Sequence, residues 1–399
     1  MLCMGLVMGA ASAAEAQLTM QMSNGWSFTF GGNVNAFLVY EKQSDVTIPS
    51  TGTLGGIVGA GGDGATRIRT GLLPAFAVFD AKGKEGNTDV GVHFGFAPQI
   101  QCGIGAGSNS VNEQGHDCFG AQIDMRQVYL TVGGSWGQIL AGRELGLYGR
   151  QNILTDQTLF GIGATGGQSG GGTTLGRIGF GYIYPQFKAQ MTFSTPAGRP
   201  FQLSVGLFDP ATNPPYTTIE LPRLEAEGVW SQGTTKFWVG GLLQNNSTGG
   251  LADESATSWG GSGGVRFGGA SFSLTASGYY GKGLGTTLLF LNGASDLGAG
   301  GDALRKSYGG IGQVTFTPAN SKLTVAGSWG ISILDAADSE IGADEFKTKN
   351  WLASGGIYYQ ATKSLKAVGE FNYAVTGDDS DVTDDNKSIA PAVGLMLFF

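Results

Sequence analysis

The chain has 399 residues, among them 71 Gly, 12 Pro and 3 Cys, and its 23 Lys and Arg against 31 Asp and Glu leave a net charge of −8. Charged residues make up only 14%, well under the roughly 25% of an ordinary soluble domain, and the acidic balance argues against a nucleic-acid-binding surface. An apolar content of 41% without a period-three Gly repeat excludes disorder and collagen, and the longest nearly uncharged apolar stretch, Leu2 to Ala14, is too short for a transmembrane helix.

Residues 1–16 read as an export signal. Leu2 to Ala10 are apolar, and two small-residue cleavage patterns follow, Ala11-Ser12-Ala13 and Ala14-Glu15-Ala16. The mature chain is expected to start at Gln17; no Lys or Arg opens the signal, which leaves room for an upstream start codon.

From Trp26 onward, apolar residues alternate with polar or small ones at period two, in segments of about ten residues. In chain order this predicts strands at 25–41, 67–80, 88–100, 123–133, 136–144 and 176–184, then a stretch from 187 to 208. Further strands follow at 220–231, 234–244, 260–268, 271–282, 306–317, 321–333, 349–360, 364–375 and 388–399. In the clearest, Leu323, Val325, Gly327, Trp329, Ile331 and Ile333 alternate with Lys322, Thr324, Ala326, Ser328, Gly330 and Ser332.

A soluble sandwich also alternates, so the connections decide. Short links such as 268–270 and 361–363 alternate with long polar ones at 42–66, 245–259, 283–305, 334–348 and 376–387, as in barrels with short periplasmic turns and long external loops. With both termini in the periplasm the strand number is even. Taking 187–208 as one strand interrupted at Pro196 to Pro200 gives sixteen. Lipid cannot hydrogen-bond a free edge, so the sheet must close, and sixteen strands enclose an aqueous channel. The fold expected is all-β: a transmembrane antiparallel β-barrel of sixteen strands. Val393, Leu395, Leu397 and the terminal Phe399 alternate along the last of them.

Past the signal two cysteines remain, Cys102 and Cys118. In an oxidising envelope compartment a disulfide is expected. The alternative, zinc held with His116, has at most three ligands at a spacing unlike CxxC pairs. Enzyme motifs are weak. Ser135 and Ser169 each centre a GxSxG match, but Ser135 falls in a predicted hairpin turn and Ser169 in a Gly run, whereas the motif needs a strand-to-helix elbow with a His and an acid. Gly161 to Gly166 match GxGxxG without the βαβ unit the fingerprint requires. His93 and His116 are the two histidines of the chain; a barrel-embedded lipase is the one enzyme reading left, and no enzyme is expected.

The segment Gly142-Arg143-Glu144-Leu145-Gly146-Leu147-Tyr148-Gly149-Arg150, with Asn152-Ile153-Leu154 and Thr158-Leu159-Phe160-Gly161, resembles the third extracellular loop of Gram-negative outer-membrane general porins. Arg177 to Phe187 resembles the strand and periplasmic turn after it. The resemblance implies a homotrimer of sixteen-stranded barrels, each with residues 145–175 folded inward as a constriction loop. Independently, this is the longest stretch without a predicted strand, and its run from Gly166 to Gly172 permits tight turns.

Family constrictions set loop acids against wall bases. Between 145 and 175 the only charges here are Arg150 and Asp156, beside Glu144. On the walls, Arg67 and Arg69 stand two apart on one face, and Arg126, Arg143 and Arg177 sit on or at the rim of predicted strands. Arginine facing lipid at mid-depth costs a few kcal/mol, so these side chains are expected at the lumen or its rim, where five guanidinium groups favour anions. The alternative for any one of them is loop anchoring through Glu144 or Asp124. Acid gathers in two outer loops, at Asp335, Asp338, Glu340, Asp344 and Glu345, and at Asp378, Asp379, Asp381, Asp384 and Asp385. Asp378, Asp379 and Asp381 are weak candidates for Ca²⁺ or Mg²⁺ bridging to lipopolysaccharide, with a solvated loop as the alternative.

The function expected is passive diffusion of small hydrophilic solutes and ions across the outer membrane of a Gram-negative bacterium, with some anion preference. The alternatives are a channel specific for one anion such as phosphate, and a surface β-sandwich or adhesin without a pore.

Overall fold

The computed structural model describes residues 18–44, 55–59, 64–101, 123–166, 172–213, 216–217, 219–247, 255–269, 271–296, 303–340, 347–379 and 384–399. The signal segment, Gln17, Cys102, Cys118, His116, Ser169 and Asp381 lie outside the described residues.

The strands, in chain order, are β1 (Leu18–Gln21), β2 (Ser27–Gln43), β3 (Ala65–Arg69), β4 (Phe76–Glu85), β5 (Thr88–Pro98), β6 (Ile123–Gly134) and β7 (Gly137–Leu145). A helix, α1 (Arg150–Thr155), and a 3-10 turn at Gln157–Phe160 precede β8 (Phe187–Ser194), β9 (Phe201–Phe208), β10 (Arg223–Gln232), β11 (Thr235–Ser247), β12 (Ser255–Gly268) and β13 (Phe272–Lys282). The last five are β14 (Lys306–Phe316), β15 (Leu323–Asp335), β16 (Lys347–Gln360), β17 (Leu365–Gly377) and β18 (Asn386–Phe398).

From β4 onward each strand pairs antiparallel with the next, and β18 returns to β2, with Leu397 opposite Val34. Both β3 and β4 pair with β2 and form one wall strand broken at 70–75, while β1 is a short arm on the start of β2. Sixteen wall strands therefore close a barrel. At the seam, Gly32 N–H donates to Phe399 O at 2.8 Å and Phe399 N–H to Gly32 O at 3.0 Å.

The total matches the expected sixteen, but two elements differ. Residues 176–184, predicted as a wall strand, lie in the connection between β7 and β8. Their alternation does not mark a lipid boundary, because protein covers them on every side: Phe180 and Tyr182 are 0% exposed. Residues 187–208, predicted as one interrupted strand, are β8 and β9 joined by a turn. The two differences cancel in the count.

The two faces of each strand meet different surroundings. Along β15, Val325 and Trp329 point outward and are exposed, whereas Ala326 and Ser332 point inward and are buried. At the short-turn end, exposed Phe237 and Phe267 stack edge to face at 5.4 Å, and Trp136 stacks on Phe193 at 6.3 Å. At the other end Trp259 meets Tyr280 at 5.7 Å, and Tyr280 meets Tyr308 at 6.0 Å. Two aromatic belts flanking an apolar band are what a bilayer-spanning barrel presents to lipid. The sandwich alternative fails here, since it requires the apolar faces to meet one another.

Candidate functional site: the lumen and its inward loop

Between β7 and β8, the described residues 146–166 and 172–186 fold into the barrel. The path of this inward loop is set by wall carboxylates that accept its backbone amides. On β10, Glu225 accepts from Leu147 N–H at 2.7 Å and Tyr148 N–H at 2.9 Å, and pairs with Arg223 at 2.8 Å. Two residues on, Glu227 holds Arg150 at 2.6 Å and the Gln151 amide at 2.9 Å. On β17, Glu370 accepts from Ile162 N–H at 2.8 Å, Gly163 N–H at 3.0 Å and Tyr358 O–H at 2.5 Å. Trp238 of β11 donates to Asn152 at 2.8 Å, and Gln313 of β14 donates to Thr155 O at 3.0 Å. Within the loop, Gly163, at φ +55°, crosses Gly176 so closely that a Cβ on Gly163 would lie 2.4 Å from the Gly176 Cα. Only glycine fits both the left-handed backbone and that approach.

Two further loops complete the packing. Leu284, Leu289 and Phe290, after β13, pack on Tyr148 and Ile183. Residues 55–58 are held by Asn350, which donates to Gly55 O at 2.9 Å, and by Thr376 Oγ1, which accepts from Val58 N–H at 2.9 Å. These loops pack inside the barrel on the side of β10 to β17. Between the inward loop and the opposite side lies a cavity of about 530 Å³, bordered by residues of β2, β4, β6, β7, β8 and β18.

The expected constriction residues divide into two groups. Arg67, Arg126 and Arg143 border space inside the barrel, whereas Arg69 is buried and donates to Thr173 O of the loop at 3.4 Å. Arg67 and Arg69 share the inward face of β3 beside Glu41 and Thr165, with the lipid-side Ile68 between them 65% exposed. Arg126 and Arg143 line the cavity, and Arg126 pairs with Asp124 at 2.8 Å. The other four are structural. Arg177 was expected on a wall strand facing the pore; instead it is fully buried in the loop, donating to Ser328 Oγ at 2.9 Å and Leu352 O at 2.9 Å. Arg150 is buried against Glu227. Asp156 is buried and caps the 3-10 turn, accepting from Thr158 N–H at 2.9 Å and Tyr182 O–H at 2.8 Å. Glu144 is buried too, accepting from Gln127 at 2.9 Å. These four share one cause: a charge buried in packed protein must be paired or hydrogen-bonded, so it fixes the backbone.

Sequence reasoning missed Glu225, Glu227 and Lys188. The signal was available for the first two, as acids at i and i+2 on the polar face of a strand, with no solvent-exposed loop to explain them. Lys188 lines the cavity and pairs with Asp209 at 3.5 Å. The GxGxxG match lies within the inward loop, and its amides at Ile162 and Gly163 are filled by Glu370. At the outer rim, hydrogen bonding to Lys282 at 3.2 Å and the charge of Lys306 hold the Asp338 carboxyl below the usual carboxylate range. Asp379 forms an ion pair with Lys349.

A closed barrel with a lipid-facing exterior, a polar interior and an inward loop defines a diffusion channel of the outer membrane. A family model described as Gram-negative porin matches residues 4–380, and the chain belongs to that family. Among solved structures, the outer membrane channel DcaP of Acinetobacter baumannii is similar at a TM-score of 0.67 and 16% identity, over 95% of this chain and 99% of that one. The anion-selective porin from Comamonas acidovorans gives 0.61 at 13% identity, over 94% and 100%. The trimer form of OmpT from Vibrio cholerae gives 0.55 at 13% identity, over 94% and 100%. No curated protein matches the chain.

Proposed function

We propose that this porin is an anion-preferring channel for small hydrophilic solutes, working as a homotrimer and without a chemical step. One observation carries the anion preference. Of the acids inside the barrel, Glu225, Glu227 and Glu370 hold the inward loop and Asp156 and Glu144 are buried and hydrogen-bonded, while Arg126, Arg143 and Lys188 border the space left beside it, with Asp124 and Asp209 as paired acids. A field of guanidinium groups in a low-dielectric wall concentrates anions and repels cations. The likeness to a porin described as anion-selective, and to one solved as a trimer, supports the same reading. Outer-membrane lipid and lipopolysaccharide surround the barrel.

Reversal potential across a KCl gradient in a planar bilayer tests the selectivity. Chloride is expected to permeate better than potassium, and replacing Arg126 and Arg143 together with Ser to reduce the ratio severalfold. A preference for potassium in the parent protein would overturn the proposal.

A further inference from the structure

The cavity beside the inward loop is too apolar for a passage that carries only hydrophilic solutes. Half-buried Leu154 and Leu175 of the loop, Phe76 of β4, Phe187 of β8 and Leu288 of the loop after β13 all border it. Buried Ile153, Leu159 and Ile178 back the loop side. An apolar shelf left open to water is unfavourable unless something covers it in use, and a concave apolar surface with a few charged groups at one edge is the ordinary form of a small-molecule site. The charged edge here is Arg126, Arg143 and Lys188. Arg126 lies over the Phe187 ring at 5.8 Å, so cation and apolar surface are contiguous. No carboxylate lies within salt-bridge distance of Arg143 among the described residues. Asp124 and Glu144 also line the cavity, but the first pairs with Arg126 and the second is buried and hydrogen-bonded by Gln127.

We infer that this cavity is a binding station for amphipathic organic anions: a carboxylate at the Arg126, Arg143 and Lys188 edge, and an aliphatic or aromatic body against Leu154, Leu175 and Phe187. The inference rests on the anion-preferring channel proposed above and names its solute class. Arginine at the edge suits a carboxylate because its planar fork donates two parallel hydrogen bonds, and its weak hydration lets it sit against a ring. The shelf makes affinity rise with the length of the solute's hydrocarbon, which a purely electrostatic filter does not do. A volume near 530 Å³ is in the range of small-molecule pockets.

The test uses the purified protein in a planar bilayer, with KCl current interrupted by acetate, butyrate, hexanoate and, as a charge control, hexylammonium. Hexanoate is expected to interrupt the current with an apparent affinity at least about tenfold tighter than acetate, since its four further methylenes, even partly covered, each add an increment. Butyrate should fall between them, and hexylammonium should have no comparable effect. Leu154→Ser and Leu175→Ser, on separate segments of the loop, should each reduce the hexanoate-to-acetate ratio severalfold. Heat-modifiable mobility like the parent's shows that they are folded. Equal interruption by acetate and hexanoate in an anion-preferring parent overturns this inference alone and needs no variant. A potassium preference in KCl overturns the anion reading and this inference with it.

Discussion

Glu370 sits on the inner face of β17 with Ile162 N–H, Gly163 N–H and Tyr358 O–H directed at its two oxygens. A buried carboxylate is costly without partners, and buried amides are costly without acceptors, so the two costs are removed together. Glu370→Ala should strand both amides, lowering stability by about 2–5 kcal/mol and loosening the loop. The expected outcome is a lower unfolding temperature in detergent and a broader spread of single-channel conductance, with Glu370→Gln milder on both. Parent-like values for Glu370→Ala would show that the loop is held elsewhere. Glu370 was legible in the sequence as one more residue on a polar face; its partners were not, because Ile162 and Gly163 lie more than two hundred residues away.

At the scale of elements, the break between β3 and β4 is the informative one. Residues 70–75 leave the ladder and turn inward, where Leu72 N–H donates to Gly161 O at 2.9 Å and so ties the wall to the loop. The lost ladder partners are replaced by two asparagines of β2. Asn35 accepts from Gly71 N–H at 2.9 Å and donates to Leu73 O at 2.8 Å, and Asn33 donates to Pro74 O at 3.0 Å. Asn35→Ala leaves two buried backbone groups unpaired and should lower stability by about 2–4 kcal/mol, visible as loss of heat-resistant mobility at a lower temperature; Asn35→Asp, which keeps the acceptor, should lose less. The sequence held a signal for this break that alternation overrode: Pro74 has no N–H and cannot sit inside an unbroken central strand. The opposite mistake at 176–184 has the same root, since period-two alternation records which residues are apolar, not whether lipid or protein covers them.

For the whole molecule, the last residue closes the sheet. The backbone of Phe399 exchanges two hydrogen bonds with Gly32, and its ring lies 5.5 Å from that of Phe30. Deleting Phe399 removes both bonds and opens the seam to lipid, where unpaired edges are unfavourable; refolding into detergent micelles, followed by heat-modifiable mobility, should slow and yield less folded protein. An unchanged yield would assign closure to the remaining β18–β2 pairs. The all-β class, the even strand number and closure were determined by the sequence alone, because they depend on period-two alternation and on the rule that a spanning sheet has no free edge; the count of sixteen agreed only because the errors at 176–184 and 187–208 cancel. Which charges face solute was decided only in three dimensions. Arg150 and Arg177 read in sequence like Arg67 and Arg126, and they part company when the inward loop reaches β10 and β15. There, partners far off in the chain determine whether a charge is buried as an anchor or left beside the open lumen.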